Sequence, residues 1–325
     1  MNAAESNAPA GRMKALRAHA RGGAEQLVYE DAPVPDAPTG SDVCVRVKAA
    51  AITFDELTWN ETWEVDGVDR TPTIPSHEFA GVVVAVGPEA GEFAVGDEVF
   101  GLVPFDRNGA AAEYVLVPST SLAVKPAGVS DVVAAAAVLP GLTAIEALEE
   151  PLGLVSGQRL LVRGGTGAVA SFLTQFAHRM GLSVTVTVRS LASVDRAKQH
   201  GADEVLVADE PAGIAAGSFD ASIDAVGAGT PDWLYRAVRP GGRVITLQEA
   251  PDADLAQKCG VDAAFFLVEA RADALSRLGA DLAAGDLEVA VAKVYPLAEG
   301  RAAYAGRGQS EKPGKTVLDV AARES

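Results

Sequence analysis

The chain has 325 residues, 48% of them apolar and 22% charged, which fits a soluble globular protein of two domains rather than a single core. Its formal charge of −17 repels nucleic-acid phosphates and anionic membranes, so neither is an expected partner. Two cysteines, Cys44 and Cys259, both set among apolar residues, exclude a disulfide framework and point to buried thiols in a reducing cytoplasm.

Residues 1–12 lack an apolar signal core and are expected as a disordered tail, with folding from about Met13. A β-rich, barrel-like unit follows over 13–128. Its short apolar strands read VCVRVKAA (43–50), EFAGVVVAVG (78–87), DEVFGLV (97–103) and AAEYVLVP (111–118). Several alternate with period two and are separated by Gly and Pro turns. Residues 132–139 are alanine-rich and end at Pro140, which reads as a buried helix stopped by the proline. No apolar run approaches the ~18–20 residues that span a bilayer.

The rhythm changes over 129–270. RLLVR (159–163), SVTVTV (183–188), EVLV (204–207), FDASID (219–224) and RVITL (243–247) read as strands. Helices are expected at 169–180, with Phe172, Phe176 and Met180 on one face, at 191–200, and within 227–242 before Pro240 and Gly241. Strand–helix alternation of this kind implies a doubly wound parallel sheet. AAFFLV (263–268) adds a candidate edge strand whose edge could pair with a partner's copy. Over 271–325 a helix at about 271–284 precedes two strands, 291–297 and 315–320. They carry no glycine-rich turn of their own and are expected to return to the first domain.

The run from Gly165 through Thr166, Gly167, Ala168 and Val169 to Ala170 fits G-x-G-x-x-A between a strand and a helix. The first glycine is expected to make the tight turn. Gly167 lets a pyrophosphate approach the backbone, and Ala170 lets helix and strand pack closely. The helix N-terminus then offers N–H groups and partial positive charge, which do not depend on the acidic net charge. A site that prefers NAD has an acidic residue about 20 positions on. None occurs from 171 to 194, and the second strand ends in Val188-Arg189-Ser190. Arg189 and Ser190 can pair with a 2′-phosphate, which points to NADP(H); otherwise Arg189 is a solvated charge.

Eight stretches now carry a resemblance: PSHEFAGVVVAVG (75–87), VGDEVFGL (95–102), GAAAEYVLVP (109–118), LPGLTAIEAL (139–148), LLVRGGTGAVAS (160–171), HGADEV (200–205), VRPGGRVITL (238–247) and PGKTVL (313–318). In this order they resemble the medium-chain dehydrogenases/reductases, in the zinc-independent quinone oxidoreductase (zeta-crystallin-like) branch. The resemblance implies a GroES-like β-barrel domain interrupted by a Rossmann domain, with the active site in the cleft between them. It also implies hydride transfer from NADPH to a quinone or α,β-unsaturated carbonyl, and a homodimer.

The alcohol dehydrogenase branch holds a catalytic zinc, and His77-Glu78 resembles its His-Glu pair. The other two ligand positions fall near Thr53 and near Pro140 or Gly141, which are poor zinc ligands. The four-cysteine lobe is missing as well. No metal is expected, and His77 and Glu78 read as structural polar groups at the cleft edge. The resemblance sets ITFDELTW (52–59) at the substrate wall. The branch's Asn, Tyr and Arg fall there at about Ile52, Leu57 and Trp59, so its usual tyrosine donor is absent. Thr53, Asp55 and Tyr114 remain as candidate catalytic groups, Asp55 being favoured as a loop-ordering carboxylate. Trp59 and Trp63 either stack on a flat substrate or pack.

The resemblance also sets Thr143, Val226 and Gly227 near the nicotinamide end. Where relatives carry Arg-Gly-Lys, this chain has Pro313-Gly314-Lys315, so Lys315 replaces a lost cofactor contact or is a solvated charge. The expected function is an NADPH-dependent quinone or enone reductase. Two alternatives stay open: an enoyl reductase tailoring a polyketide-type intermediate, and a non-catalytic NADPH-binding sensor or structural protein.

Overall fold

Strand Asp42–Ala51 organises the first half of the chain because its apolar residues are buried on both sides of the pleat. One edge pairs antiparallel with Glu78–Val86. The other is shared by Tyr114–Pro118 and Lys315–Asp319. The seven-stranded sheet runs Val291–Pro296, Lys315–Asp319, Asp42–Ala51, Glu78–Val86, Glu98–Leu102 and Leu122–Val124, with Tyr114–Pro118 beside Asp42–Ala51. A hairpin of Arg12–Ala18 and Leu27–Pro33 is bridged to it at Ala15–Ala112.

The computed structural model describes residues 9–149, 151–207, 211, 213–306 and 312–322. Residues 1–8 of the expected tail therefore lie outside the described residues, and regular structure begins at Arg12. The chain divides into two compact units, Met1–Leu139 with Glu269–Ser325, and Pro140–Val268.

The alanine-rich helix does not stop at Pro140 but runs from Asp131 to Glu149. A proline inside a helix costs about 3 kcal/mol. Beyond it Leu142, Ile145 and Leu148 are buried, and each such side chain contributes about 1.5–3 kcal/mol, which outweighs that cost. The Leu139 amide beside the break donates to Glu78 Oε2 at 3.0 Å. Its 19 residues make this helix long and apolar enough to cross a membrane, but 78% of its apolar window is buried within the protein. It is a core helix.

In the second unit six parallel strands run in the order Glu204–Val207, Ser183–Val188, Arg159–Arg163, Phe219–Asp224, Val238–Thr246 and Asp262–Phe265. The order reverses at Arg159–Arg163, which pairs with Ser183–Val188 on one side and Phe219–Asp224 on the other. Open α/β sheets bind ligands outside the strand carboxyl ends at such a point. The expected helix within 227–242 shrinks to Asp232–Arg236, and Pro240 and Gly241 lie inside strand Val238–Thr246. That strand loops out between the pairings Phe219–Val238 and Ala221–Arg243. Gly241 has φ +73°, and a Cβ on Gly242 would fall 2.5 Å from the Asp220 carbonyl, so only glycines fit the excursion. The expected helix over 191–200 is a 3-10 turn, Leu191–Ser193, followed by Val194–Gln199.

Candidate active site

In the second unit strand Arg159–Arg163 ends at Gly164, and Gly167 caps helix Ala168–Arg179. The left-handed turn is made by Gly164, at φ +94°, and not by Gly165 as the motif suggested. Gly165 instead makes room for the neighbouring strand, since a Cβ there would lie 2.6 Å from Val186 Cβ. The turn is tied to that strand by Gly165 N–H donating to the Thr187 carbonyl at 2.8 Å. Gly167 is exposed and supplies no side-chain cap. The amides of Ala168, Val169 and Ala170 thus keep their donors for a ligand.

The adjacent strand end is braced by a buried ion pair. Arg163 donates to Asp224 Oδ2 at 2.9 Å and to the Gly229 carbonyl at 3.1 Å. Asp224 Oδ1 accepts the Val226 amide at 2.9 Å. This fixes the loop over 225–229, in which Gly227 is buried at φ +75° against Gln248 and Val226 is exposed. Thr166 is half-buried, Thr143 is buried, and Arg189 and Ser190 are exposed just past strand Ser183–Val188. The expected cofactor residues other than Thr143 and Lys315 thus gather at the carboxyl ends of adjacent strands.

The first unit holds a buried polar cluster. Lys315 forms an ion pair with Glu78, their side chains 9% and 1% exposed. The solvated-charge reading of Lys315 is therefore corrected, and its ammonium is committed inside the unit. Lys315 Nζ also donates to Thr53 Oγ1 at 3.0 Å, and Thr53 Oγ1 donates to Glu78 Oε1 at 3.0 Å. Behind them Glu56 accepts the Ser76 amide at 2.8 Å and the Tyr304 hydroxyl at 2.6 Å. Ser76 sits in the left-handed region at φ +66°. That strain, on the order of 1 kcal/mol, is held by Glu56 and by the Ser76 Oγ–Tyr304 hydroxyl contact at 3.0 Å. Burial pushes the Glu56 carboxyl up to about 7, against the hydrogen bonds from Tyr304 and Ser76. Burial, then Glu56, raises the Tyr304 phenol well above its ordinary value.

His77 is buried rather than set at an edge. Burial brings its pKa down to about 4, so the ring is neutral at pH 7. Nδ1 lies 3.1 Å from the Val103 carbonyl and must carry the proton, because a carbonyl only accepts. Phe105 stands edge-on to His77 at 5.2 Å and to Trp59 at 5.1 Å. Trp63 is 3% exposed, with its indole N–H on the Leu57 carbonyl at 3.0 Å. It is a core residue with no face open to a substrate, so of its two readings packing holds and stacking is corrected. Asp55 is half-buried at the start of the 3-10 turn Glu56–Thr58, and its carbonyl accepts the Thr58 hydroxyl at 2.7 Å. Tyr114 lines surface hollows with Arg46 and Lys14, or with Met13 and Ile74, neither of which Thr53 or His77 lines. Of the three candidate catalytic groups, Thr53 is hydrogen-bonded within the cluster. Cys44 is buried, its thiol pushed up to about 11 by desolvation, whereas Cys259 is only half-buried.

Zinc does not fit these residues. The Glu78 carboxylate is neutralised by Lys315, Thr53 is a weak neutral donor, and Pro140 and Gly141 offer no side-chain ligand. His77 alone cannot hold the ion. Among the described residues no three His, Cys, Asp or Glu side chains form a set that could hold a metal.

Two family models match: the alcohol dehydrogenase GroES-like domain over residues 39–127, and the zinc-binding dehydrogenase domain over 200–318. The chain is 30% identical over 250 residues to a chloroplast envelope quinone oxidoreductase homolog of Arabidopsis thaliana, covering 71% of this chain and 73% of that one. It belongs to the quinone oxidoreductase branch of the medium-chain dehydrogenases/reductases. A trans-enoyl reductase of Aspergillus terreus is 33% identical over 54% of this chain and 52% of its own length. A mycobacterial structure described as complexed with NADPH matches with a TM-score of 0.81 and 26% identity, over 94% of this chain and 99% of that one. As a member of this family the protein is an oxidoreductase of small molecules. Its second unit is the family's nicotinamide dinucleotide-binding fold.

Glu56, Ser76 and Tyr304 were not among the residues singled out from sequence. The signal available was a second acid, Glu56, inside the apolar stretch ITFDELTW; nothing local marks Tyr304, 248 positions away.

Gly165→Ala is expected to destabilise the protein by about 1–3 kcal/mol through overpacking, measured by chemical denaturation. Adding Val186→Ala is expected to recover little of that loss, because alanine keeps the Cβ that lies 2.6 Å away. A second expectation concerns pH. Glu56 is protonated in the fold up to about pH 7 but ionises near 4.5 when unfolded. Its contribution is full below pH 4.5 and is lost as pH rises through 7, a change on the order of 3 kcal/mol. Thermal melts across pH 4–8 should show this dependence in the wild type and not in Glu56→Gln.

Proposed function

We propose that the protein is an NADPH-dependent reductase of quinones or α,β-unsaturated carbonyls that works without zinc. The carrying observation is the second strand's end, where exposed Arg189 and Ser190 stand with no acidic residue from 171 to 194. A guanidinium fork matches a 2′-phosphate, whereas a carboxylate there would repel it. The amides over 167–170 take the pyrophosphate, and Thr143, Val226 and Gly227 lie toward the nicotinamide. When bound, the reduced nicotinamide supplies the hydride.

The chain's own residues stabilise what hydride addition leaves. A conjugated carbonyl gains negative charge on oxygen, and preorganised donors lower its energy. Thr53, which accepts from the Lys315 ammonium, is the candidate group retained on the first unit, and it serves as a donor by turning its hydrogen away from Glu78 Oε1. Trp59, held edge-on by Phe105, offers a flat face to a planar substrate. A narrower reading, an enoyl reductase acting on a polyketide-type intermediate, is favoured by the missing tyrosine and by the trans-enoyl reductase relative.

We also propose a cytoplasmic homodimer. Strand Asp262–Phe265 ends the sheet, and Phe265 and Leu267 beside it are 45% and 56% exposed, a face that suits pairing with a second copy.

The test is NADPH oxidation, followed by absorbance, against quinones, enones and enoyl thioesters. Turnover of simple quinones supports the broad reading, and turnover of enoyl thioesters alone supports the narrow one. Tight NADPH binding with no turnover leaves a sensor. Arg189→Ala should weaken NADPH binding at least about tenfold more than NADH binding; equal losses would remove the assignment. Chelators should leave the rate unchanged. Phe265→Asp should shift the mass by light scattering from dimer to monomer.

A further inference from the structure

We infer that Arg163 and Asp224 are positioning residues for the nicotinamide half of the cofactor, acting by holding the loop over 225–229 in one shape before the cofactor arrives. The inference rests on the cofactor reading above, and every residue it uses belongs to the second unit.

A dinucleotide laid across the point where a strand order reverses places one half over each neighbouring strand. On that reading Arg189 and Ser190, just past strand Ser183–Val188, take the adenosine half. The other half then falls to the loop that follows strand Phe219–Asp224. This loop lies against the glycine turn. A Cβ on Gly164 would come 2.6 Å from Val226 Cγ2, and the Ala225 amide donates to the Arg163 carbonyl at 3.2 Å.

Left to itself the loop would not keep one shape. Gly227, Ala228 and Gly229 lie in the left-handed region at φ +75°, +60° and +90°. The two glycines have many other conformations open to them, and an alanine is strained there. The ion pair supplies the missing constraint. Asp224 Oδ1 accepts the Val226 amide at 2.9 Å and the Gly227 amide at 3.4 Å. Arg163 Nη1, 2.9 Å from Asp224 Oδ2, reaches the Gly229 carbonyl at 3.1 Å and the Gly227 carbonyl at 3.4 Å.

Ala228 is thus pinned from both sides. It is exposed, and its own amide and carbonyl have no hydrogen-bond partner among the described residues. A backbone donor and acceptor held still in this way suit the hydroxyls of a ribose. Arg163 does not serve as a phosphate contact, since its side chain is 16% exposed and faces a fully buried carboxylate. A buried pair is costly to keep unless it has such a role.

The deciding variant is Arg163→Lys. Lysine keeps the charge opposite Asp224, but its ammonium ends one bond short of Nη1 and gives up the reach to the two carbonyls. Two ligands are titrated by calorimetry. One is NADPH; the other is adenosine 2′,5′-bisphosphate, which lacks the nicotinamide and its ribose. If the competent loop falls to about a tenth of the molecules, NADPH affinity falls about tenfold, while adenosine 2′,5′-bisphosphate binds as before. In the free wild type the Val226 and Gly227 amides exchange hydrogen slowly, although Val226 is exposed, and in the variant they exchange faster.

An unchanged NADPH affinity in Arg163→Lys would overturn the inference. Equal losses for both ligands would do the same, since Arg163 would then be a phosphate contact or a general prop. If the variant does not fold, the wild type decides: slow exchange at Val226 and Gly227 supports the brace, and exchange at the rate of an unfolded chain rejects it. Should the wild type take NADH instead, NADH and AMP replace the two ligands and the same comparison holds. A wild type that binds no nicotinamide dinucleotide rejects the cofactor reading and the inference with it, whereas the variant's results bear on the inference alone.

Discussion

The buried pairing of Lys315 with Glu78 is the constraint on which the first unit depends. Removing two ions from water costs several kcal/mol each, and the cost is offset only when every remaining hydrogen bond is made. Here the carboxylate is met by the ammonium, the Thr53 hydroxyl and the Leu139 amide. Those partners come from the C-terminal strand, the segment after strand Asp42–Ala51, and the core helix. One charge pair thus sets the register of three distant pieces of chain. Losing one partner would leave an uncompensated buried charge, at about 3–5 kcal/mol. The second layer, Glu56 with Tyr304 and Ser76, holds the strained turn that carries His77.

The second unit solves a different electrostatic problem. A protein of net charge −17 has to accept an anionic nucleotide. Its glycine turn does so with backbone, and the charges nearby are balanced: Arg163 is neutralised by Asp224, and both serve to shape the neighbouring loop. Gly165 is as much a packing residue as a binding one, since strand Ser183–Val188 fills the space its side chain would need. Arg189 stands outside the Arg163–Asp224 pairing, exposed just past strand Ser183–Val188.

Where period and turn chemistry are local, the fold was legible. RLLVR, SVTVTV, EVLV and FDASID match their strands residue for residue. The errors fall where distant packing overrides a local rule. Pro140 read as a helix stop, yet buried residues on its far side keep the helix going. Pro240 and Gly241 read as a terminator but lie within a strand that loops out against Asp220. The glycine turn between strand Arg159–Arg163 and helix Ala168–Arg179 was legible for the same reason as the strands, being one contiguous motif. The polar cluster was not, because the contacts that join its segments span 20 to 262 positions and each member alone looks like an ordinary surface residue. The open choices at Trp63, stacking or packing, and at Lys315, cofactor contact or solvated charge, turned on the same missing information, their burial.

The first unit is discontinuous in sequence: its last strand, Lys315–Asp319, completes a sheet whose centre is Asp42–Ala51. The second unit is one unbroken stretch, Pro140–Val268. During synthesis the ribosome therefore releases a complete Rossmann unit while the earlier unit still lacks two strands and the countercharge for Glu78. Until strand Lys315–Asp319 emerges, the nascent chain carries an open sheet edge at Ala49–Ala51 and an acid with no base, a state exposed to aggregation and to capture by chaperones.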